Sequence, residues 1–278
     1  MSRYPEINLR GASVAITGGG RGIGLATAQL FAARGARVAI GDLDGAEAAA
    51  KEIDGWGAPL DVTDPASFAD FVAGAEAEHG PLDILVNNAG VMPNGDFLEL
   101  GLATDRMIME VNLFGVIHGM RAVLPGMLER RSGHVVNVAS LAGKFPVKGL
   151  AAYNASKFAV VGLTAATRLE YADRGISLTA ILPSAVDTAL ASGLDMRPIP
   201  KVKPEAIAAV VVDSVRHRRA EVAVPGYVGL LADVAAVTPT PILDRFRKIM
   251  RDDRALAADS LERQDYRDNL HQQEGRRA

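Results

Sequence analysis

The stretch that most constrains this chain is Ser13-Val14-Ala15-Ile16-Thr17-Gly18-Gly19-Gly20-Arg21-Gly22-Ile23-Gly24. Val14 to Ile16 form a short β-branched apolar run, the pattern of a buried strand. Ile23, Ala26, Leu30 and Ala33 then recur at helical spacing. Between the two lies a turn in which Gly18, Gly22 and Gly24 permit unusual backbone angles and a close approach to the main chain. The first N–H groups of the following helix, and its positive dipole end, face whatever sits in that turn. Such a place suits a pyrophosphate. A second strand, 37–41, follows the helix and ends in Asp42, about 20 residues past the turn. A dinucleotide site needs a carboxylate there to accept hydrogen bonds from the adenosine ribose.

The rest of the chain alternates in the same way. Helix 22–34 and strand 37–41 lead to a helix over 45–53 and a strand over 57–60 that ends at Asp61-Val62. Thr63-Asp64-Pro65 reads as a capped helix start, and the helix runs to His79. The apolar run 82–86 has the character of a strand buried on both faces. A long helix is expected over 103–130, a strand over 134–139 and a helix over 152–173. Strand 176–182, helix 204–218 and strand 221–224 complete the series. Alternation at this pitch predicts an α/β, Rossmann-type doubly wound parallel sheet of about seven strands. Residues 10–225 are expected to form one catalytic domain that binds the dinucleotide and includes the substrate loop, and 226–278 a helical C-terminal extension. In such sheets ligands gather beyond the carboxyl ends of the strands. Gly18, Asp42, Asp61, Asn87, Ser140 and Pro183 are therefore expected to share one face.

Tyr153-Asn154-Ala155-Ser156-Lys157 stands at a helix start just beyond the strand that ends at Ser140. Tyrosine and lysine at i and i+4 lie on one helix face. A phenol has a pKa near 10, and a neighbouring ammonium favours its ionised form. Such a pair can take the proton from an alcohol while a bound nicotinamide takes the hydride.

With these pieces in place the chain resembles the short-chain dehydrogenase/reductase family over about residues 10–225. The resemblance is carried, in order, by the glycine turn 17–24, Asp61-Val62, Asn87-Asn88-Ala89-Gly90, Asn112, Ser140, Tyr153 and Lys157. It implies Tyr153 as general acid/base and Lys157 as holder of the nicotinamide ribose, lowering the tyrosine pKa. Ser140 would bond the substrate oxygen, and Asn112, disturbing its helix, would position a water in the proton relay. For the cofactor it implies Gly18, Arg21, Gly22, Ile23 and Gly24 at the turn, and Asp42 at the adenosine ribose. Asp61 and Val62 would lie at adenine and Asn88, Ala89 and Gly90 on the ribose side. Val186 and Thr188 would hold the carboxamide, while Asn87 reads as a structural strand tie. One departure stands out: family members usually show Pro-Gly after the sixth strand, and this chain has Pro183-Ser184.

Cofactor choice carries opposed signals. Asp42 would repel a 2′-phosphate, whereas Arg21 is a residue type found in phosphate-accepting members; NAD is expected over NADP. The substrate loops, 91–97, 141–150 and 189–202, hold Met92, Leu141, Phe145, Val147, Leu190, Leu194 and Met196, which suits an apolar secondary alcohol or ketone. Lys144, Lys148 and Arg197 are the charges there that an anionic tail would meet. The leading expectation is thus an NAD-dependent alcohol dehydrogenase of lipid-like or steroid-like substrates. A second is an NADPH-dependent ketoreductase of acyl chains, suggested by Arg21 and Lys144. A third, of another class, is a non-catalytic dinucleotide sensor, which would have no need of Ser140, Tyr153 and Lys157.

Composition closes off other classes. The net charge of −3 gives no general attraction to nucleic acid, and the absence of cysteine removes disulfides, thiol nucleophiles and thiolate metal sites. The five histidines lack ligand-like spacing, so no metal is expected. Residues 1–10 have no signal-like apolar region and no unbroken apolar run of membrane-spanning length is evident, so a cytoplasmic protein is expected. Ile242, Phe246 and Ile249 recur at helical spacing among basic residues, a pattern open to a subunit contact, a lid or a peripheral membrane contact. Residues beyond Arg251 read as a mobile or loosely helical tail. A homodimer or homotetramer built on helices 103–130 and 152–173 is implied by the resemblance.

Overall fold

The computed structural model describes residues 4–192, 201–250 and 266. Seven parallel strands form one sheet: β1 (Ser13–Thr17), β2 (Arg37–Asp42), β3 (Trp56–Pro59), β4 (Ile84–Asn87), β5 (Gly133–Val138), β6 (Ile176–Pro183) and β7 (Glu221–Val224). Their order is β3-β2-β1-β4-β5-β6-β7, so the winding reverses between β1 and β4. Val14 pairs with Val38 on one side and with Ile84 on the other. The carboxyl ends of β1 and β4 open the crevice at that reversal.

The inner strands β1, β4, β5 and β6 are buried on both faces and mostly apolar, because both faces are covered. Val14, Ile16, Val38, Ile40, Ile84, Val86, Val136 and Val138 point one way, onto α1 (Gly22–Ala33), α2 (Ala46–Lys51) and α7 (Pro204–His217). Ala15, Ala39, Leu85, Val135, Leu178 and Leu182 point the other way. They meet α3 (Pro65–His79), α5 (Gly115–Arg130) and α6 (Ala151–Tyr171). The period-2 alternation of strand side chains thus supplies two cores from one sheet. Asp64 caps α3 by accepting the Ala66 N–H at 2.8 Å, with Pro65 in the first turn as read from the sequence. At the sheet edge, Trp56 on β3 stacks on Phe71 of α3, ring centroids 5.7 Å apart.

The helix expected over 103–130 is interrupted. It runs as α4 (Leu102–Met109), a π-turn (Glu110–Phe114) carrying Asn112, and α5. Leu102–Arg130 is long and apolar enough to cross a membrane, unlike anything expected from the sequence. Val111, Val116, Met120, Val123, Leu124 and Met127 are nevertheless buried in the core, which accounts for that apolarity within the fold. Beyond β7 the chain forms α8 (Gly226–Val237) and α9 (Thr240–Met250). Tyr227, Leu230, Leu231 and Val234 of α8 are exposed. Leu194, Met196 and Arg197, and the tail beyond 250 apart from Tyr266, lie outside the described residues.

Candidate active site

The glycine turn is built as its sequence requires. Gly18 and Gly22 have φ of +63° and +56°, a region closed to most side chains. A Cβ on Gly24 would stand 2.1 Å from the Gly18 carbonyl oxygen, so α1 packs onto the end of β1 only with glycine there. Arg21, exposed and in extended backbone, precedes α1 without a side-chain cap, which leaves the first-turn N–H groups facing the turn. Thr17 fixes the turn to β4: its Oγ1 accepts the Asn88 and Ala89 N–H groups at 3.0 and 3.1 Å. Asn88 answers by donating from Nδ2 to the Thr17 and Gly18 carbonyls at 3.0 and 2.9 Å. The Asn88 side chain is therefore committed to holding the turn, and a cofactor would meet this segment through its main chain. Asn87 is a strand tie, donating to Asn137 Oδ1 at 2.9 Å, with Asn137 in turn donating to Thr164.

Asp42 stands at the end of β2, where its Oδ2 accepts the Gly20 N–H at 2.9 Å. The carboxylate is thereby aimed along the glycine turn. Asp61 Oδ1 accepts both the N–H and the hydroxyl of Thr63, which fixes the loop leading to Val62. On the opposite lip, Thr188 Cγ2 lies 3.4 Å from where a Gly22 Cβ would be. Val186 bridges Val202 as a parallel pair, so that segment packs against the glycine turn in a fixed place. Ser184 has no left-handed φ, so the loss of the usual glycine imposes no backbone strain. Its Oγ is buried without a hydrogen-bond partner among the described residues. The glycine cradle, the open helix start, the Asp42 carboxylate and this orphaned hydroxyl together fit a dinucleotide lying across the β1–β4 crevice.

Tyr153 and Lys157 are both buried on the first turns of α6. Ser140 stands near enough to Tyr153 to favour its ionised form, and its Oγ accepts the Ala142 N–H at 3.1 Å. Lys157 Nζ lies 5.7 Å from the centre of the Tyr153 ring and donates to the Val138 carbonyl at 3.0 Å. A Cβ on Gly90 would stand 3.3 Å from Asn112 Oδ1 and 3.7 Å from Lys157 Nζ, which brings the β4 end, the π-turn and α6 together. Asn112 clamps Val91, accepting its N–H at 2.8 Å and donating to its carbonyl at 2.9 Å. Its amide is committed there and to Ser156.

The electrostatics differ from the expectation that Lys157 lowers the Tyr153 pKa. Burial pushes the Tyr153 phenol up to about 12, against a lowering by Ser140 and with a further rise from Tyr266. Burial likewise pulls the Lys157 ammonium down to about 8. Desolvation is the largest cause for both groups, because the environment penalises both charged forms.

Three contributors were missed by sequence reasoning. Asn154 holds the loop before α6, donating to the Val147 carbonyl at 2.8 Å, and Ser156 donates to the Tyr153 carbonyl at 2.7 Å. Both stand between the tyrosine and lysine already singled out, as polar residues on a buried helix face; that was the available signal. The third is Tyr266, whose hydroxyl accepts the Met92 N–H at 2.8 Å. Lys144 is not a substrate-facing cation, because it pairs with Glu221 and Asp233 and so ties the loop after β5 to β7 and α8. Leu141 and Phe145 pack in the main core, whereas Met92, Ile108, Ala142, Leu150 and Ala191 cluster with Tyr153, joined by Val147 and Leu190. Among the described residues no three His, Asp or Glu side chains converge as metal ligands.

A family model described as short chain dehydrogenase matches residues 12–197. The chain is similar to 2,5-dichloro-2,5-cyclohexadiene-1,4-diol dehydrogenase LinX of Sphingobium indicum, 36% identical over 67% of this chain and 77% of the relative. It is similar to 3-oxoacyl-[acyl-carrier-protein] reductase FabG of Vibrio cholerae, 36% identical over 68% and 79%. It also resembles the probable oxidoreductase EphD of Mycobacterium tuberculosis, 39% identical over 63% of this chain. That match spans only 31% of the mycobacterial protein.

Proposed function

Because the chain belongs to the short-chain dehydrogenase family, and is thus an enzyme of alcohol–carbonyl redox chemistry, we propose that it is an NAD-dependent oxidoreductase. Its substrate is an apolar secondary alcohol or the corresponding ketone, and Tyr153 transfers the proton. The observation that carries this reading is the buried Tyr153 phenol on the first turns of α6, with Ser140 close enough to favour its ionised form and Lys157 beside the ring, beyond the carboxyl end of β5.

A nicotinamide, when bound, supplies the acceptor or donor of hydride. The substrate oxygen sits between Ser140 Oγ and Tyr153 Oη. In oxidation Tyr153 removes the hydroxyl proton as the carbinol hydrogen leaves with its electron pair, and the C–O bond becomes a carbonyl. In reduction the same phenol returns the proton to the oxygen. Lys157 Nζ keeps donors beyond the one given to Val138, and these suit ribose hydroxyls. The apolar wall of Met92, Ile108, Leu150 and Ala191 excludes water and supports an apolar substrate.

NAD is favoured by Asp42. A 2′-phosphate beside its carboxylate would meet about 4 kcal/mol of repulsion per charge pair at about 4 Å and an effective dielectric near 20. Of the two cations that suggested the second reading, NADPH-dependent reduction of acyl carbonyls, Arg21 alone still supports it, since Lys144 is committed to its ion pairs. The test is a cofactor-reduction screen over secondary alcohols with NAD and NADP in parallel. We expect higher kcat/KM with NAD, and Asp42→Ala narrowing the ratio by weakening NAD and admitting NADP. A parent that prefers NADP would sink the cofactor assignment and move the weight to the second reading. We further infer a homo-oligomer, supported by apolar side chains exposed on the π-turn and α6.

A further inference from the structure

We propose that Tyr266 is a specificity-determining residue of the substrate pocket, its ring forming an apolar outer wall and its hydroxyl closing off the Met92 amide. The inference rests on the functional reading above. Two consecutive amides beyond β4 are pinned from different parts of the chain. Asn112 holds the Val91 N–H, and Tyr266 Oη, 174 positions from its partner, holds the Met92 N–H at 2.8 Å. Met92 is buried in the same cluster as Tyr153, Ile108 and Leu150. The Tyr266 phenol lies near enough to Tyr153 to act on its ionisation.

The chemical consequence follows from what an amide does in an apolar pocket. An N–H facing the pocket would need a water or a substrate acceptor, since leaving it unpaired is costly. Tyrosine brings the acceptor on the end of a rigid apolar ring, so the same residue satisfies the amide and covers it. A polar spot becomes an apolar surface beside the reacting carbon. Such a wall favours hydrocarbon next to the carbinol and disfavours substrates carrying an acceptor there.

The test uses Tyr266→Ala and Tyr266→Phe in the full chain, with three readouts. These are hydrogen exchange at the Met92 amide, kcat and KM for an apolar secondary alcohol against a diol of equal length, and NAD affinity by titration. Both variants should speed exchange at Met92. Tyr266→Ala should raise KM for the apolar alcohol about tenfold, the scale of a lost hydrophobic pocket contact, and narrow its advantage over the diol. In that variant kcat should stay within a few-fold and NAD affinity should be unchanged, while Tyr266→Phe keeps most of the apolar preference. Unchanged KM and preference in Tyr266→Ala would overturn the proposal. So would equal losses in both variants accompanied by weaker NAD binding, because Tyr266 would then only support the fold. A parent that oxidises no alcohol would refute the functional reading, and Met92 exchange would still decide whether Tyr266 is seated over the pocket, unchanged exchange refuting it.

Discussion

Tyr153 is held as a neutral phenol by its burial, with Ser140, Lys157 and Tyr266 the groups that face it. This has a direct kinetic consequence. Oxidation needs the phenolate, which is the minor form below a pKa of about 12, so log(kcat/KM) for alcohol oxidation should climb with pH from about 7 to 10. Ketone reduction needs the protonated phenol and should be flat across neutrality. Tyr153→Phe should remove nearly all turnover in both directions while leaving NAD affinity largely intact. Oxidation independent of pH over that range, or a Phe variant within a few-fold of the parent, would contradict the role given to Tyr153. The positions of Ser140, Tyr153 and Lys157 were legible because strand ends and an i, i+4 helix pair are local properties. The balance of their charges was not, because desolvation depends on what covers them. Tyr266 was invisible for a related reason: it stands in no periodic pattern, and only the folded chain brings it to Met92.

At the level of elements, the seven strands and their helices follow from alternating apolar runs and glycine or proline punctuation, and they appear within a residue or two of the expected bounds. The π-turn at Asn112 was foreseen only as a disturbance. Its width reflects a side chain that must reach Val91 and Ser156 at once. The same stretch and α6 carry a further expectation. Phe114 and Phe158 are 42% and 41% exposed and Leu169 is 81% exposed. Large apolar side chains on neighbouring helical segments suit a self-association surface. Light scattering at working concentration should show a dimer or larger species, and Phe158→Asp should shift it toward monomer. A parent that scatters as a monomer would refute the assembly.

Over the whole molecule, the sheet is fastened to its covering layers by polar ties as well as by apolar packing. His134 on β5 contacts Ser177 Oγ of β6 at 2.8 Å and Ser214 Oγ of α7 at 3.0 Å. Burial, with Arg218 and then Arg168 nearby, holds its pKa well below 6.5. Below about pH 6.5 the unfolded chain binds a proton that the folded chain refuses, so stability is complete above that pH and lost as pH falls. The loss approaches about 1.4 kcal/mol per pH unit for one such group. Urea unfolding at pH 7.5 and 5.5 should therefore show a smaller pH dependence in His134→Gln than in the parent, and equal dependence would exclude this histidine as the cause. Trp56 offers the optical means. It is the chain's single tryptophan and it stacks on Phe71 at the β3 edge of the sheet. Its emission therefore reports the state of one border, while far-UV circular dichroism reports all the strands and helices. Coincident transitions would mean that the border melts with the rest, and an earlier fluorescence change would mark β3 as the place where the sheet first comes apart.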